Sequence, residues 1–286
     1  MPSANRDSDP ATTRLGPLTG LRAVTFDLFD TLVEIDMDRL PRLVYRGKSL
    51  RTSAPAVLER LAEQFPNLPS TELTADYLRI TKEFWAEKEA SGIELPARSR
   101  MERVLRHLTE RSGRDPDDEI PSRALELVEI HMGLLADAVR PLSSALPLLR
   151  RLADDGVPLL LISNFDHGDT ARAILERHGL APFFQRTVIS EDVGRRKPHR
   201  ELFEFAWRAL AERGPRSLEV IRPEDIAHVG DDPVCDVEGA GDLGWRTIWI
   251  DRTDRRTSDA AATAGPKREP SWRVSDLNTL LESDEP

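Results

Sequence analysis

The sequence predicts an α/β protein in which a parallel sheet carries helices on both faces and an all-helical domain is inserted near the start of the sheet. Five short apolar runs are typical of buried strands, and they lie at 22–27, 158–163, 186–190, 226–230 and 246–250. Between the later runs, apolar residues recur at helical spacing, and alternating strands and helices are typical of a parallel sheet.

A stretch of about 130 residues separates the first predicted strand from the second, which is far too long for one crossover connection. We therefore expect an inserted domain over 34–137, with the α/β core formed by 20–33 and 138–251. Within the insertion, apolar periodicity broken by prolines and glycines predicts four helices. These predicted helices span 54–65, 72–89, 99–111 and 120–138.

The two ends of the chain differ from the core in composition. Residues 1–19 mix Pro, Ser, Thr, Asp and Arg without apolar periodicity, which is typical of a disordered leader. Residues 252–286 form a polar tail that ends in WRVSDLNTLLE, a stretch that we interpret as a short helix docked on the core.

Composition excludes several classes of function. No uncharged apolar window approaches the length of a bilayer span, and the N-terminus lacks the basic start and apolar stretch of a signal peptide, so we expect a cytoplasmic protein. The net charge of −10 argues against a general nucleic-acid or anionic-membrane binder. The reactive residues that lie at the ends of the predicted strands indicate a small-molecule substrate instead. The single cysteine, Cys235, excludes an intrachain disulfide framework.

Polar residues follow several predicted strands, at the edge of a parallel sheet where reactive groups collect. The first predicted strand ends on Asp27, and the second ends on Ser163 and is followed by Asn164. The fourth is followed by Asp231, with Asp236 shortly after, and Lys197 precedes a predicted helix. A nucleophilic carboxylate, a hydroxyl, a lysine and further acids fit phosphoryl transfer assisted by Mg²⁺, which prefers oxygen ligands.

Four segments in this order resemble the haloacid dehalogenase superfamily: FDLFDTL at 26–32, LISN at 161–164, GRRKPHRELFEFA at 194–206 and HVGDDPVCDVEGAGDLGW at 228–245. The resemblance covers roughly 20–33 and 138–251, and the insertion after the first segment looks like the helical C1 cap of that superfamily. It implies a Rossmann-like core and a hydrolase.

The resemblance also implies roles for individual residues. Asp27 is then the nucleophile, Ser163 binds the transferring group and Lys197 steadies it. Thr31 and Asn164 are further candidates for binding substrate, although Thr31 equally suits a role in closing the turn after the strand. Mg²⁺ is then held by Asp27, the backbone carbonyl of Phe29 and Asp231, with Asp236 as a further or outer-sphere ligand.

The chain departs from the superfamily's phosphatases at Phe29. Those enzymes carry an aspartate there, which acts as general acid for the leaving group and as base for the attacking water. Asp30 is one residue too late to replace it, because neighbouring side chains point in different directions, and we interpret Asp30 as a turn residue. Loss of a positioned acid typically costs about 10²–10⁴ in rate and favours substrates whose leaving group needs little protonation, such as acyl and aryl phosphates.

Three functions therefore stay open from the sequence. The leading one is a Mg²⁺-dependent phosphatase acting on a small phosphorylated metabolite through an aspartyl-phosphate on Asp27. The second is a 2-haloacid dehalogenase with an ester intermediate on Asp27, since such enzymes resemble this chain in lacking the second aspartate. They place an arginine from early in the cap over the halide and the carboxylate, for which the sequence offers Arg39, Arg42, Arg46, Arg51 and Arg60. The third is a weakly active or noncatalytic relative that binds a phosphometabolite or a protein.

Overall fold

The structure is a computed structural model that describes residues 17–115, 118–211, 221–252 and 266–282. Most of the predicted leader 1–19, and parts of the tail 252–286, lie outside the described residues. Among the helices of the described part of the chain, none combines the length and the apolar character needed to cross a bilayer.

The first strand, β1 (Ala23–Phe26), is buried along its whole length. The chain then leaves the core through β2 (Val33–Ile35), which pairs antiparallel with β5 (Val139–Pro141), the strand by which the chain returns. This two-stranded ribbon forms the stem of the inserted segment.

The insertion opens with a hairpin that the sequence analysis did not predict. Strands β3 (Arg42–Tyr45) and β4 (Lys48–Arg51) pair antiparallel across a two-residue turn. Both turn residues have positive φ, 49° at Arg46 and 76° at Gly47, as the tight turns of β-hairpins require. The description of the insertion as all-helical is therefore incomplete. The hairpin is largely exposed, so its strands lack the apolar alternation that would reveal them.

The four predicted helices of the insertion are all present, with ends shifted by a few residues. They are α1 (Ala54–Gln64), α2 (Ser70–Ser91), α3 (Ala97–Arg111) and α4 (Ile120–Ala138). Their apolar stripes form a separate core that includes Leu61, Tyr77, Met101, Leu105 and Leu127. All four helices begin inside the predicted cap 34–137, whose boundaries stay a prediction.

The remainder of the chain alternates strands with helices and short helical turns. In order these are α5 (Ala145–Asp154), β6 (Leu159–Ser163), α6 (Gly168–Arg177), β7 (Arg186–Ile189), α7 (Ser190–Val193), α8 (Arg200–Ala211), β8 (Ile226–Gly230), α9 (Gly239–Gly241), β9 (Arg246–Ile250), β10 (Trp272–Val274) and α10 (Asn278–Glu282). A π-helical turn, Pro233–Glu238, precedes α9.

Six strands form one parallel sheet in the order β10-β9-β8-β1-β6-β7. Alternate residues of β1 enter different cores: Val24 packs with residues of α5 and α6, and Ala23 packs with residues of α8. The predicted fold class, with helices on both faces of a parallel sheet, is confirmed. Because the strand order reverses on either side of β1, the carboxyl ends of β1, β6 and β8 border one crevice.

The C-terminal stretch differs from its predicted helical form. Its first residues, Trp272–Val274, add to the sheet as the parallel edge strand β10, and only Asn278–Glu282 is helical. The open edge of β9 presents unpaired backbone groups, and pairing them outweighs the weak local preference for a helix. The helix does dock on the core, through Leu280.

Candidate active site

Asp27 follows β1 directly and lies at the crevice. Its side chain is only 11% exposed, and its backbone N–H donates to Val229 O at 2.9 Å, which fixes the residue between β1 and β8. Its Oδ1 accepts a hydrogen bond from Lys197 Nζ at 2.6 Å. A carboxylate that is fixed by a lysine at the end of a strand is a type of group that can act as a nucleophile.

Lys197 uses all three of its ammonium protons. Besides Asp27, Nζ donates to Asp236 Oδ1 at 2.7 Å and to the carbonyl oxygen of Ile162 at 2.9 Å. An ammonium group has three donors and no acceptor, so its bonding capacity is complete. Lys197 therefore connects the ends of β1 and β6 with the acidic turn after β8.

Asn164 fixes the backbone of Lys197 through a pair of hydrogen bonds. Its Oδ1 accepts from Lys197 N at 2.7 Å, and its Nδ2 donates to Lys197 O at 3.0 Å. This gives Asn164 a positioning role, while its predicted contact with substrate stays a prediction. Ser163, the last residue of β6, is buried next to Ile162, whose carbonyl Lys197 contacts.

Three carboxylates converge on this point. Asp27, Asp231 and Asp236 each place one oxygen within 4.8 Å of the others. Asp236 accepts at both oxygens, because Oδ2 also receives the backbone N–H of Asp232 at 2.9 Å. The turn that carries Asp231 and Asp236 is stabilised by Asp232, whose Oδ1 accepts from Val234 N at 2.8 Å.

A buried histidine, His228, contacts the side chain of Asp236. His228 Nε2 lies 3.0 Å from Asp236 Oδ1, and His228 Nδ1 lies 2.7 Å from Thr25 Oγ1. An ionised carboxylate can only accept, so the proton belongs on Nε2, and Nδ1 accepts from the threonine hydroxyl. Burial lowers the pKa of His228, which keeps this ring neutral.

The pKa values of the three acids in the cluster are shifted in different directions. Burial raises the pKa of Asp27 to about 7, against the lowering effect of Lys197. Burial and the neighbouring carboxylates, with Asp236 and Asp27 foremost, raise the pKa of Asp231 to about 8. At Asp236, burial is outweighed by the charge of Lys197 and the hydrogen bond from His228, so its pKa lies below the usual range.

This donor set fits a hard divalent cation. Carboxylate oxygens within 4.8 Å of one another repel when ionised, and this repulsion adds to burial, the larger cause, in raising the pKa values of Asp27 and Asp231. Mg²⁺ prefers such oxygen ligands and commonly uses one or two carboxylates. Because both oxygens of Asp236 already accept hydrogen bonds, Asp27 and Asp231 suit direct ligation better, and Asp236 suits an outer position.

The residues Phe29, Asp30 and Thr31, which follow Asp27 closely in the chain, lie in different environments. The ring of Phe29 packs against Phe165 with centroids 4.9 Å apart, so the position of the missing acid is an apolar wall. Asp30 is exposed and left-handed, with φ of 56°, as expected of a turn residue. Thr31 is fully buried, and its Oγ1 has no hydrogen-bond partner among the described residues, which keeps a role in binding available.

A cavity of about 400 Å³ lies between the inserted helices and the loops at the carboxyl edge of the sheet. We call it the cap cavity. Its residues include members of α2, α3 and α4 together with Phe29 and Asn164. Asn164 connects the cavity to the acidic cluster, because it hydrogen-bonds to the backbone of Lys197. Most of its wall is apolar or aromatic, with Ile35, Tyr77, Leu78, Trp85, Leu135 and Phe165. Of the five arginines suggested early in the cap, none lines it.

Sequence reasoning missed several polar residues near the site. Lys88 and Arg100 both line the cap cavity and are at most 3% exposed. The signal was present: Lys88 continues the apolar stripe of α2 four residues after Phe84, and Arg100 lies four residues before Val104 on the buried face of α3. His228 likewise interrupts an apolar strand.

Comparisons with known proteins agree with this geometry. A model of the family described as haloacid dehalogenase-like hydrolase matches residues 21–244. The chain is 34% identical over 202 residues to a phosphoserine phosphatase of Thermus thermophilus, covering 69% of this chain and 71% of that protein. It is 26% identical to a glyceraldehyde 3-phosphate phosphatase of Methanopyrus kandleri, over 81% of this chain and 84% of that protein.

Among solved structures, a 2-haloacid dehalogenase of Pseudomonas syringae superposes with a TM-score of 0.62 at 27% identity. The superposition covers 92% of this chain and 97% of the dehalogenase. Phosphatases and a dehalogenase are thus both among the proteins that this chain is similar to.

Proposed function

This chain belongs to the haloacid dehalogenase-like hydrolases, and we propose that it is a Mg²⁺-dependent phosphatase that acts on a small phosphorylated metabolite through an aspartyl-phosphate on Asp27. The observation that carries the proposal is the cluster of Asp27, Lys197 and Asp236, which are buried, with the half-buried Asp231. A phosphatase assignment for two of the similar proteins supports it. The predicted cytoplasmic location stays a prediction.

In this proposal Asp27 is the nucleophile. Its carboxylate oxygen attacks the phosphorus atom and the bond to the leaving group breaks, after which water attacks phosphorus, breaks the bond to Asp27 and releases phosphate. Lys197, 2.6 Å from Asp27 Oδ1, fixes the carboxylate and offsets the repulsion between it and the phosphate. Ser163, Thr31 and Asn164 are the proposed contacts of the phosphate.

Asp27, Asp231 and the backbone carbonyl of Phe29 would hold Mg²⁺, with Asp236 outside them. When bound, the cation supplies neutralisation of the phosphate charge and a fixed orientation of the phosphate. Asp236 then orients Lys197, since Lys197 Nζ lies 2.7 Å from Asp236 Oδ1.

Phe29 restricts the choice of leaving group. Its ring packs on Phe165 and offers no proton to the departing oxygen and no base to the attacking water. We therefore expect acyl and aryl phosphates to be better substrates than alkyl phosphates. We also expect the second step to be slow, so that the aspartyl-phosphate accumulates.

The test is pre-steady-state kinetics with p-nitrophenyl phosphate and Mg²⁺. The wild-type protein should release close to one equivalent of p-nitrophenol per active site in a burst and then turn over slowly. Phe29→Asp should remove the burst and raise steady-state turnover of alkyl phosphates by about 10²-fold or more, since a positioned acid or base contributes about 10²–10⁴.

Asp27→Asn is the matched control, because it keeps the size of the side chain and removes the nucleophile. It should show neither burst nor turnover, and chelation of Mg²⁺ should have the same effect on the wild type. An absence of phosphate release from acetyl phosphate and aryl phosphates would reject the proposal, as would a Phe29→Asp variant that gains nothing on alkyl phosphates.

A 2-haloacid dehalogenase is the second candidate, favoured by the aromatic residue at position 29 and by the similar dehalogenase structure. The acidic cluster argues against it, because an ester intermediate on Asp27 needs no cation. Release of chloride from 2-chloropropionate that is unaffected by chelator would support the dehalogenase and contradict the phosphatase.

A further inference from the structure

We propose that the cap cavity binds a carboxylate on the leaving-group portion of the substrate, and that Arg100 is the residue that binds it. The inference deepens the proposed function and rests on it for the position of the phosphate at Asp27. It names the substrate class as organic monophosphates with an apolar or aromatic spacer and a terminal carboxylate.

Arg100 is a buried cation without compensation. It lies on α3, lines the cap cavity and is 3% exposed. Within the described part of the chain, its Nε and Nη2 are buried and have no hydrogen-bond partner. Burying guanidinium donors without hydrogen-bond partners costs free energy, so we expect a ligand to supply the acceptor.

The other cations along the cavity are already neutralised. Lys88 contacts Glu94 and also lies 3.2 Å from Asp166 Oδ2. Arg196 Nη1 lies 3.5 Å from the same Glu94. The carboxylates of Glu94 and Asp166 therefore neutralise Lys88 and Arg196, and Arg100 is the excess positive charge among these cations.

The chemistry of Arg100 selects a planar anion. A guanidinium group offers parallel donors that match the two oxygens of a carboxylate, and such paired bonds are stronger than bonds between neutral groups. His131 lines the same cavity, and burial, followed by the charge of Arg100, lowers the pKa of this histidine to about 3. It contacts Ser53 through Nδ1, so a neutral polar pair flanks the guanidinium without adding charge.

The walls of the cavity select the spacer. Tyr77, Leu78, Trp85 and Leu135 provide an apolar surface, and Phe29, two residues after Asp27 in the chain, also lines the cavity. A volume of about 400 Å³ is at the lower end of that of small-molecule sites, which suits a ring or short chain. A substrate with its phosphate at Asp27 would then extend past Phe29 toward Arg100.

Binding of non-hydrolysable phosphonates tests this without relying on turnover. Isothermal titration in the presence of Mg²⁺ compares 4-carboxyphenylphosphonate with phenylphosphonate, and thermal shift with benzoate probes the cavity alone. We expect the wild type to bind the carboxylated phosphonate about 10- to 100-fold more tightly, as bonds to a charged group allow.

Arg100→Met should abolish this preference while leaving the affinity for phenylphosphonate within about threefold of wild type. Arg106→Met, on the same helix but exposed and paired with Glu102, is the matched control and should keep the preference. Without ligand, Arg100→Met should not lower the melting temperature, because an apolar residue replaces an unpaired buried charge. A purely structural arginine would give a loss of stability instead.

Equal wild-type affinity for the two phosphonates, or a preference that survives Arg100→Met, would overturn the inference. If neither phosphonate binds, the proposed phosphate site fails and benzoate decides about the cavity. A benzoate-induced rise in melting temperature that needs Arg100 would then support the carboxylate site on its own. No effect of benzoate would reject it.

Discussion

At the residue scale, Gly230 determines how closely the acidic turn approaches β8. A Cβ built at this position would lie 2.2 Å from Asp236 Cγ, inside any allowed contact distance. The absence of a side chain therefore lets the Asp236 carboxylate reach both Lys197 Nζ and His228 Nε2. The glycine of the GDD sequence is required here by space rather than by an unusual backbone conformation.

We predict that Gly230→Ala displaces Asp236 and lowers both activity and stability. The added methyl group overpacks a buried point, which typically costs about 1–3 kcal/mol. The free energy of unfolding from urea denaturation and phosphate release with Mg²⁺ measure the two effects.

Gly133→Ala is the control, because Gly133 lies in α4 and a Cβ there would meet nothing within 4 Å. This change should be neutral or stabilise by about 0.5–1 kcal/mol, as expected for glycine to alanine in a helix. Equal stability of Gly230→Ala and wild type would show that Asp236 tolerates displacement.

At the element scale, the segment between α2 and α3 attaches the cap to the core near Lys197. Glu94 N donates to Gly194 O at 3.2 Å, and Ala97 N donates to Asp166 O at 2.8 Å. The buried side chains of Lys88 and Glu94 form an ion pair beneath this segment, and Ser190 Oγ donates to Glu94 at 2.6 Å. The cap is thus joined to the core here as well as at its stem.

We predict strong coupling between Lys88 and Glu94 in a double-mutant cycle. Lys88→Met leaves buried carboxylates without their ammonium partner and should cost about 3–5 kcal/mol of unfolding free energy. Adding Glu94→Gln removes one of those charges. The loss of unfolding free energy in the double variant should therefore be smaller than the sum of the two single losses, by about 1–3 kcal/mol.

The exposed pair of Arg79 and Glu83 on the same helix gives the matched cycle. Arg79→Met and Glu83→Gln should couple by no more than about 0.5 kcal/mol, as exposed helical pairs do. Additive effects at Lys88 and Glu94 would contradict the buried ion pair.

The elements that were predicted correctly from the sequence are those that bury an apolar face. Five strands and four cap helices were identified because each presents an apolar run or stripe to one core. The hairpin β3–β4 is exposed, and β10 is a three-residue edge strand, so neither has a pattern that distinguishes it locally.

At the scale of the whole molecule, the raised pKa values of Asp27 and Asp231 link stability to pH. Between pH 6.5 and 8 the folded protein holds protons on these groups that the unfolded chain has released, so the free energy of unfolding falls as pH rises. Below pH 6.5 the lowered pKa values of His131 and His228 act in the opposite direction, since folded histidines bind fewer protons than unfolded ones.

We therefore predict that the melting temperature in chelator falls between pH 6.5 and 8, and that Mg²⁺ raises it more at pH 8 than at pH 6.5. Asp231→Asn should reduce both effects, whereas Asp38→Asn, at a 92% exposed side chain, should leave them unchanged. Differential scanning calorimetry measures them, and each 1 kcal/mol corresponds to about 2–4 °C in a protein of this size. A Mg²⁺ effect that is independent of pH would contradict the prediction.

The sequence by itself determined the α/β class, the four cap helices and the acids and lysine that follow particular strands. These features depend on periodicity and on the rule that strand ends share one edge of a parallel sheet. Only the tertiary structure decided that Asn164 fixes the backbone of Lys197, that His228 supports Asp236, and that Arg100 lies uncompensated in the cap cavity. The first two contacts join residues from separate elements, and the third feature depends on which partners are absent around a buried side chain. The packing of the folded chain determines all three, so local sequence patterns do not reveal them.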